Sequence, residues 1–184
     1  MRLRRTVAGA LALVWAATST LGEGRMIEDF KNAPDKRWEF ISDQVMGGVS
    51  EGRVSLDEGD GQTVLRLQGK VSTANRGGFI QARLKLAERL PKEAEGLELK
   101  VRGNGQKYYI HARTSGTVLP WNFYQAPFDV SEGWATVRIP FTAFEAQGML
   151  VSKRLKAEAV KSIAVVAYGR DHTADVSVAS ISTY

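Results

Sequence analysis

The chain has 184 residues, 43% of them hydrophobic and 24% charged, a balance that fits one domain around one core and excludes a chain disordered throughout. It contains no cysteine, which excludes a disulfide framework, thiolate metal sites and a cysteine nucleophile. The formal net charge of +5 points at first sight to a nucleic acid or an anionic surface.

The first residues weaken that indication. The chain opens MRLRR, continues TVAGALALVWAATS and then TLGEGR: a basic stretch, an apolar stretch and a run of small residues. This order predicts a secretory signal peptide over residues 1–22, cut near Ser19 or Gly22, and an exported protein, periplasmic or secreted. The apolar stretch falls short of the roughly 20 residues of a membrane-spanning helix. Once Arg2, Arg4 and Arg5 are removed, Lys+Arg falls from 25 to 22 against 20 acidic residues, leaving +2. The mature domain, residues 25–184, then has no overall charge that argues for a nucleic-acid partner.

Beyond residue 25 the pattern is alternation, the mark of half-buried strands, and 18 glycines against 5 prolines predict tight turns between them. Strands are expected at 63–69, 78–86, 97–102, 108–113, 135–139, 162–168 and 176–182. In LELKVRG, Leu97, Leu99 and Val101 point one way and Glu98, Lys100 and Arg102 the other. Gly103-Asn104-Gly105 is a hairpin signal. In KYYIHART, Tyr108, Ile110 and Ala112 share one face, and Tyr109, His111 and Arg113 the opposite one. Short helices are expected at 141–147, opened by Pro140, and at 153–160. SIAVVAY is apolar on both faces and predicts a central strand. The spacing of turn signals predicts an all-β sandwich or jelly roll.

One stretch is more specific. WEFISDQVMGGVSEGRV carries Trp38, Asp43, the Met46-Gly47-Gly48 turn and Ser50. It is followed by NRGGFIQARL with Gly77 and Gly78, then LELKVRGNGQKYYIHAR, WNFYQAPF, WATVRIPFTAF and a closing ISTY. In this order the blocks resemble the complex I intermediate-associated protein 30 family, from about residue 30 to residue 184. The resemblance implies a galactose-binding-like jelly-roll β-sandwich. It also implies a chaperone-like, non-catalytic role, which in the founding mitochondrial members is assembly of respiratory complex I, an NADH:ubiquinone oxidoreductase. A protein partner close to a membrane complex would follow. The export signal conflicts with that role, because it points across the membrane from the arm around which complex I assembles.

Each motif residue has two readings. The Met46-Gly47-Gly48 turn is either a ligand loop with Asp43 and Ser50 at its rim or a buried corner in which Asp43 caps backbone amides; the corner is preferred. Gly77-Gly78 reads as a bulge that sends Phe79 into the core. The resemblance to galactose-binding-like sandwiches, which often carry a structural calcium, implies that Asp171, His172 and Asp175 could hold one, but a solvated turn is the plainer reading. No cofactor and no metal site are expected. Ser50, His111 and Asp43 supply the letters of a triad without a G-x-S-x-G elbow, so the chain is read as a non-enzyme. The candidate ligand face comprises Arg83, Arg102, Tyr109, His111, Arg113, Trp121, Asn122 and Tyr124, because aromatic rings stack on sugars or apolar ligands and arginines fork to carboxylates and hydroxyls. Two functions remain open. One is a chaperone-like module docking through an apolar patch of Trp121, Phe123 and Trp134. The other is a carbohydrate- or small-ligand-binding module.

Overall fold

Alternating residues build two antiparallel sheets stacked face to face. The computed structural model describes residues 24–31, 37–59 and 61–184, so the expected signal segment lies outside the described residues. The strands, in chain order, are β1 (Met26–Glu28), β2 (Trp38–Ser42), β3 (Glu51–Gly59), β4 (Gln62–Val71), β5 (Phe79–Lys85), β6 (Gly96–Gly103), β7 (Lys107–Thr114), β8 (Phe123–Asp129), β9 (Ala135–Pro140), β10 (Glu145–Gln147), β11 (Val160–Tyr168) and β12 (His172–Thr183). The first sheet runs β3-β4-β12-β6-β9, with β1 also paired to β12. The second runs β10-β8-β7-β11-β5-β2.

Period-two alternation puts one face of each sheet inside. Leu97, Leu99 and Val101 of β6 meet Tyr108, Ile110 and Ala112 of β7 in a single core, as their spacing predicts. β12 shows how a long strand stays in that core. Val176 and Val178 face inward, a bulge falls between Val178 and Ser180, and Ile181 and Thr183 then take the inward positions. β11 lies centrally between β7 and β5, and both its faces are covered. The two expected helices are single 3-10 turns, Phe141–Ala143 and Ala157–Ala159. The first is cut short because Phe144 returns to extended backbone and Glu145–Gln147 pairs with β8 as β10. Sheet pairing outweighs the modest helical propensity of so short a segment.

Of the motif residues, Trp38, Asp43 and Ser50 are buried in the fold, while Met46 is exposed. Trp38 is buried against Phe30, at 5.9 Å between ring centroids, and its Nε1 donates to Glu28 Oε2. Asp43 is fully buried and its carboxylate ties two glycine turns together. Its Oδ1 accepts the Ser50 N–H at 2.9 Å, and its Oδ2 accepts the Ser50 hydroxyl and the N–H groups of Gly78 and Phe79. Ser50 Oγ in turn accepts the Ser72 N–H at 2.9 Å. A Cβ at Gly48 or at Gly77 would overlap the Asp43 carboxylate, so glycine is required on both sides of it. Gly47, at φ +91°, closes the first turn as a left-handed cap.

Burial alone would raise the Asp43 pKa. The hydrogen bonds from Gly78, Ser50 and Phe79 outweigh it and hold the carboxyl below its usual range. A depressed carboxylate stabilises the fold above its unfolded-state pKa, and that contribution disappears as pH falls through the folded value. Asp43→Ala is expected to lower unfolding stability by about 3 kcal/mol at neutral pH, since it strands several buried donors. Urea denaturation checks this, and the gap between wild type and variant should narrow only at pH below about 4.

Candidate functional site

The outward face of the second sheet is hollowed by small residues on its central strand. Ser162 and Ala164 of β11 face outward here, opposite the inward Ile163 and Val165. Their cross-strand neighbours are larger: Ala164 sits between Arg83 of β5 and His111 of β7, and Ser162 lies opposite Arg113. The result is a groove of about 330 Å³, near the lower end of the range for ligand sites. The loop 43–49 and the turn 74–78 supply one rim through Val45, Met46, Arg76 and Gly77. The loop between β7 and β8 supplies the other through Pro120 and Trp121.

Aromatic rings form a continuous wall. His111 stacks on Phe123 with centroids 4.2 Å apart, and Tyr168 packs edge-on against both His111, at 5.4 Å, and Tyr109, at 5.8 Å. Trp121 is 57% exposed at the rim. Arg113 braces that rim. Its Nη2 donates to the carbonyls of Thr117, at 2.7 Å, and Leu119, at 2.9 Å, just before Trp121. Arg83 donates through Nη2 to Glu39 at 2.8 Å, while its Nε is buried without a partner. His111 Nε2 is likewise buried and unpartnered. Such atoms are rare in folded proteins and call for an explanation.

The site assembles part of the set expected from the sequence. Arg83, His111, Arg113 and Trp121 line the groove, and Tyr109 joins it through Tyr168. Three candidates are elsewhere. Tyr124 is buried in the core, because β8 starts at Phe123 and its alternation turns 124 inward and 123 outward. Asn122 is buried and holds the Met149 carbonyl with its side-chain amide. Arg102 lies on the other sheet, stacked 4.7 Å over Trp134. For the same reason Trp134 forms no patch with Trp121 and Phe123. Phe79 also departs from expectation: it lines the groove, and Ile80 takes the core position. Gln81 was legible in principle, since it shares strand parity with Arg83, whereas Tyr168 ends a strand that reads as apolar on both faces.

Little here is equipped for acid–base chemistry. The groove lining contains neither Asp nor Glu. Asp43 and Ser50 are committed to each other below the surface, and His111 is flanked by Phe123, Tyr168 and the facing Gln125, so no triad forms. Among the described residues no group of three His, Cys, Asp or Glu is placed to hold a metal ion. The Asp171–Asp175 turn is occupied otherwise: Asp171 accepts from Thr73, and Asp175 forms a two-pronged pair with Arg66.

A sequence profile described as complex I intermediate-associated protein 30 matches residues 28–176. No curated protein matches the chain. Among solved structures, the family 11 carbohydrate-binding module of a cellulosomal cellulase of Clostridium thermocellum aligns with a TM-score of 0.72 at 15% identity, covering 87% of this chain and 93% of that one. The family 11 module from Clostridium thermocellum in complex with a β-1,3-1,4-mixed-linked tetrasaccharide gives 0.70 at 16% identity, over 87% and 94% of the two chains. A carbohydrate-binding module specific for non-crystalline cellulose gives 0.54 at 10% identity, over 88% and 94%. At such identities the likeness is one of fold, and it agrees with the jelly-roll sandwich expected from the sequence.

Burial pushes the His111 pKa down to about 3, with the Gln125 side chain opposing only part of the shift. The folded protein therefore keeps this ring neutral, while the unfolded chain protonates it below about pH 6.5. Stability should fall as pH drops, by about 2 kcal/mol between pH 7 and pH 5 from this residue. Urea denaturation at the two pH values should show that loss in the wild type and a loss smaller by about that amount in His111→Gln.

Proposed function

The chain belongs to the complex I intermediate-associated protein 30 family, and within it we propose a non-catalytic binding protein that holds a saccharide in the groove of the second sheet. The observation that carries this reading is the exposed Trp121 ring set beside Arg83 and Arg113 over a floor of Ser162 and Ala164. An aromatic face stacks on the apolar face of a sugar, and neighbouring arginines and Gln81 donate to its hydroxyls. The tetrasaccharide held by the Clostridium thermocellum module of the same fold supports the ligand class.

A second reading rests on a different observation. Val45, Met46, Val49, Val118, Leu119, Trp121, Met149 and Leu150 are exposed apolar side chains in three loops. Exposed apolar loops suit a protein partner, in keeping with the association with a complex I intermediate that the family name describes. Export through residues 1–22 belongs to the proposal as well, and it sets the saccharide reading ahead of complex I assembly.

Calorimetric titration with the mixed-linked tetrasaccharide and a panel of neutral and acidic oligosaccharides tests the first reading. Trp121→Ala should weaken binding by about 10-fold or more, about 1.4 kcal/mol. Arg102→Ala, on the opposite sheet, should leave it unchanged. If no saccharide binds while a partner protein co-purifies with the wild type and is lost with Leu119→Ser, the second reading replaces the first. Intact mass of protein recovered outside the cytoplasm should correspond to a chain starting at Thr20 or Glu23; a mass that retains Met1 sinks the export claim.

A further inference from the structure

The groove carries more positive charge than a neutral ligand needs. Three guanidinium groups line it, those of Arg76, Arg83 and Arg113, and no carboxylate does. Glu39 pairs with Arg83 from the sheet edge and engages only Nη2. Arg113 donates to main-chain carbonyls, which carry no charge to compensate its own. Arg76 projects from the 3-10 turn Ala74–Arg76 at φ +62°, a backbone conformation unfavourable for a long side chain, and it is exposed. We infer that the groove selects an acidic saccharide, with a ring carboxylate received among Arg76, Arg83 and Arg113 while Trp121 stacks on a sugar ring.

This inference rests on the saccharide reading and narrows it to a charge class. An arginine guanidinium matches a carboxylate in geometry and charge. The Arg113 guanidinium responds to its setting in the same sense: burial lowers its pKa, and the positive charge of Arg83 adds to the shift. A ligand anion would relieve that repulsion. A nucleic acid fits less well. The cations gather in one small hollow with apolar walls from Ile41, Phe79 and Phe123, and form no stripe that tracks a phosphate backbone.

Calorimetric titration with trigalacturonate and an oligoglucuronate, each beside its methyl ester, separates charge from shape. Each acid should bind at least about 10-fold more tightly than its ester, and the difference should shrink at high salt. Arg76→Gln should reduce the preference while keeping the esters' affinity, with an unchanged melting temperature showing that the variant folds. Esters or neutral oligosaccharides binding as well as the acids would overturn the charge selection and leave the saccharide reading standing. Inorganic phosphate competing as strongly as trigalacturonate would reduce the groove to a general anion site and overturn the inference. No binding by any acidic, esterified or neutral saccharide would remove both readings together.

Discussion

The buried carboxylate of Asp43 joins segments that are far apart in the chain. It collects N–H groups from Ser50, Gly78 and Phe79, and so pins the turn after β2 to the turn before β5. A third turn is attached to the same knot, because the Gly169 N–H donates to the Gly78 carbonyl at 2.8 Å. A charged acceptor surrounded by backbone donors is stronger than neutral pairs and, once buried, is costly to disrupt. The glycines follow from this geometry. Gly48 and Gly77 leave the space into which the carboxylate fits, and Gly47 turns the chain back over it.

What the knot holds in place is one wall of the groove. Val45 and Met46 project from the first turn, and Arg76 and Phe79 from the second. The opposite wall has its own brace in Arg113, which gathers the carbonyls ahead of Trp121. Between them the floor is low because β11 carries Ser162 and Ala164 where larger residues would fill the hollow. The groove is therefore framed by two independent anchors, one anionic and one cationic, on a rigid sheet. That preorganisation limits the ordering a ligand must impose when it binds.

Much of this was legible in the sequence, and the failures have particular causes. Alternation identified the inward residues of β6 and β7, because each of those strands is regular and covered on one side. The candidates Trp121, Asn122 and Tyr124 do not share one face, since Trp121 and Asn122 belong to the preceding loop and β8 starts only at Phe123. Asn122 was then assigned to a ligand although it holds a neighbouring turn, and Tyr124 although it fills the core. Arg102 sits on the correct kind of face but on the other sheet, and single-strand patterning does not report sheet membership. Phe79 was sent inward on the strength of its hydrophobicity, yet Ile80 has the parity that reaches the core. The groove rim at Val45 and Arg76 was beyond reach, because it depends on two loops meeting through Asp43.

The same knot separates two kinds of information in the chain. The residues by which the family is recognised, Asp43, Ser50 and their glycines, lie mostly beneath the rim, and Asp43 and Ser50 are wholly shielded from solvent. Several of the side chains that line the groove, among them Trp121, Arg83 and Gln81, stand on adjoining strands and loops and have no part in that knot. A lineage can therefore exchange Trp121, Arg83 or Gln81 for other residues without touching that knot, and can keep its signature intact while the groove lining changes. Kinship in this fold is a statement about architecture, and the identity of the guest has to be read from the other set of residues.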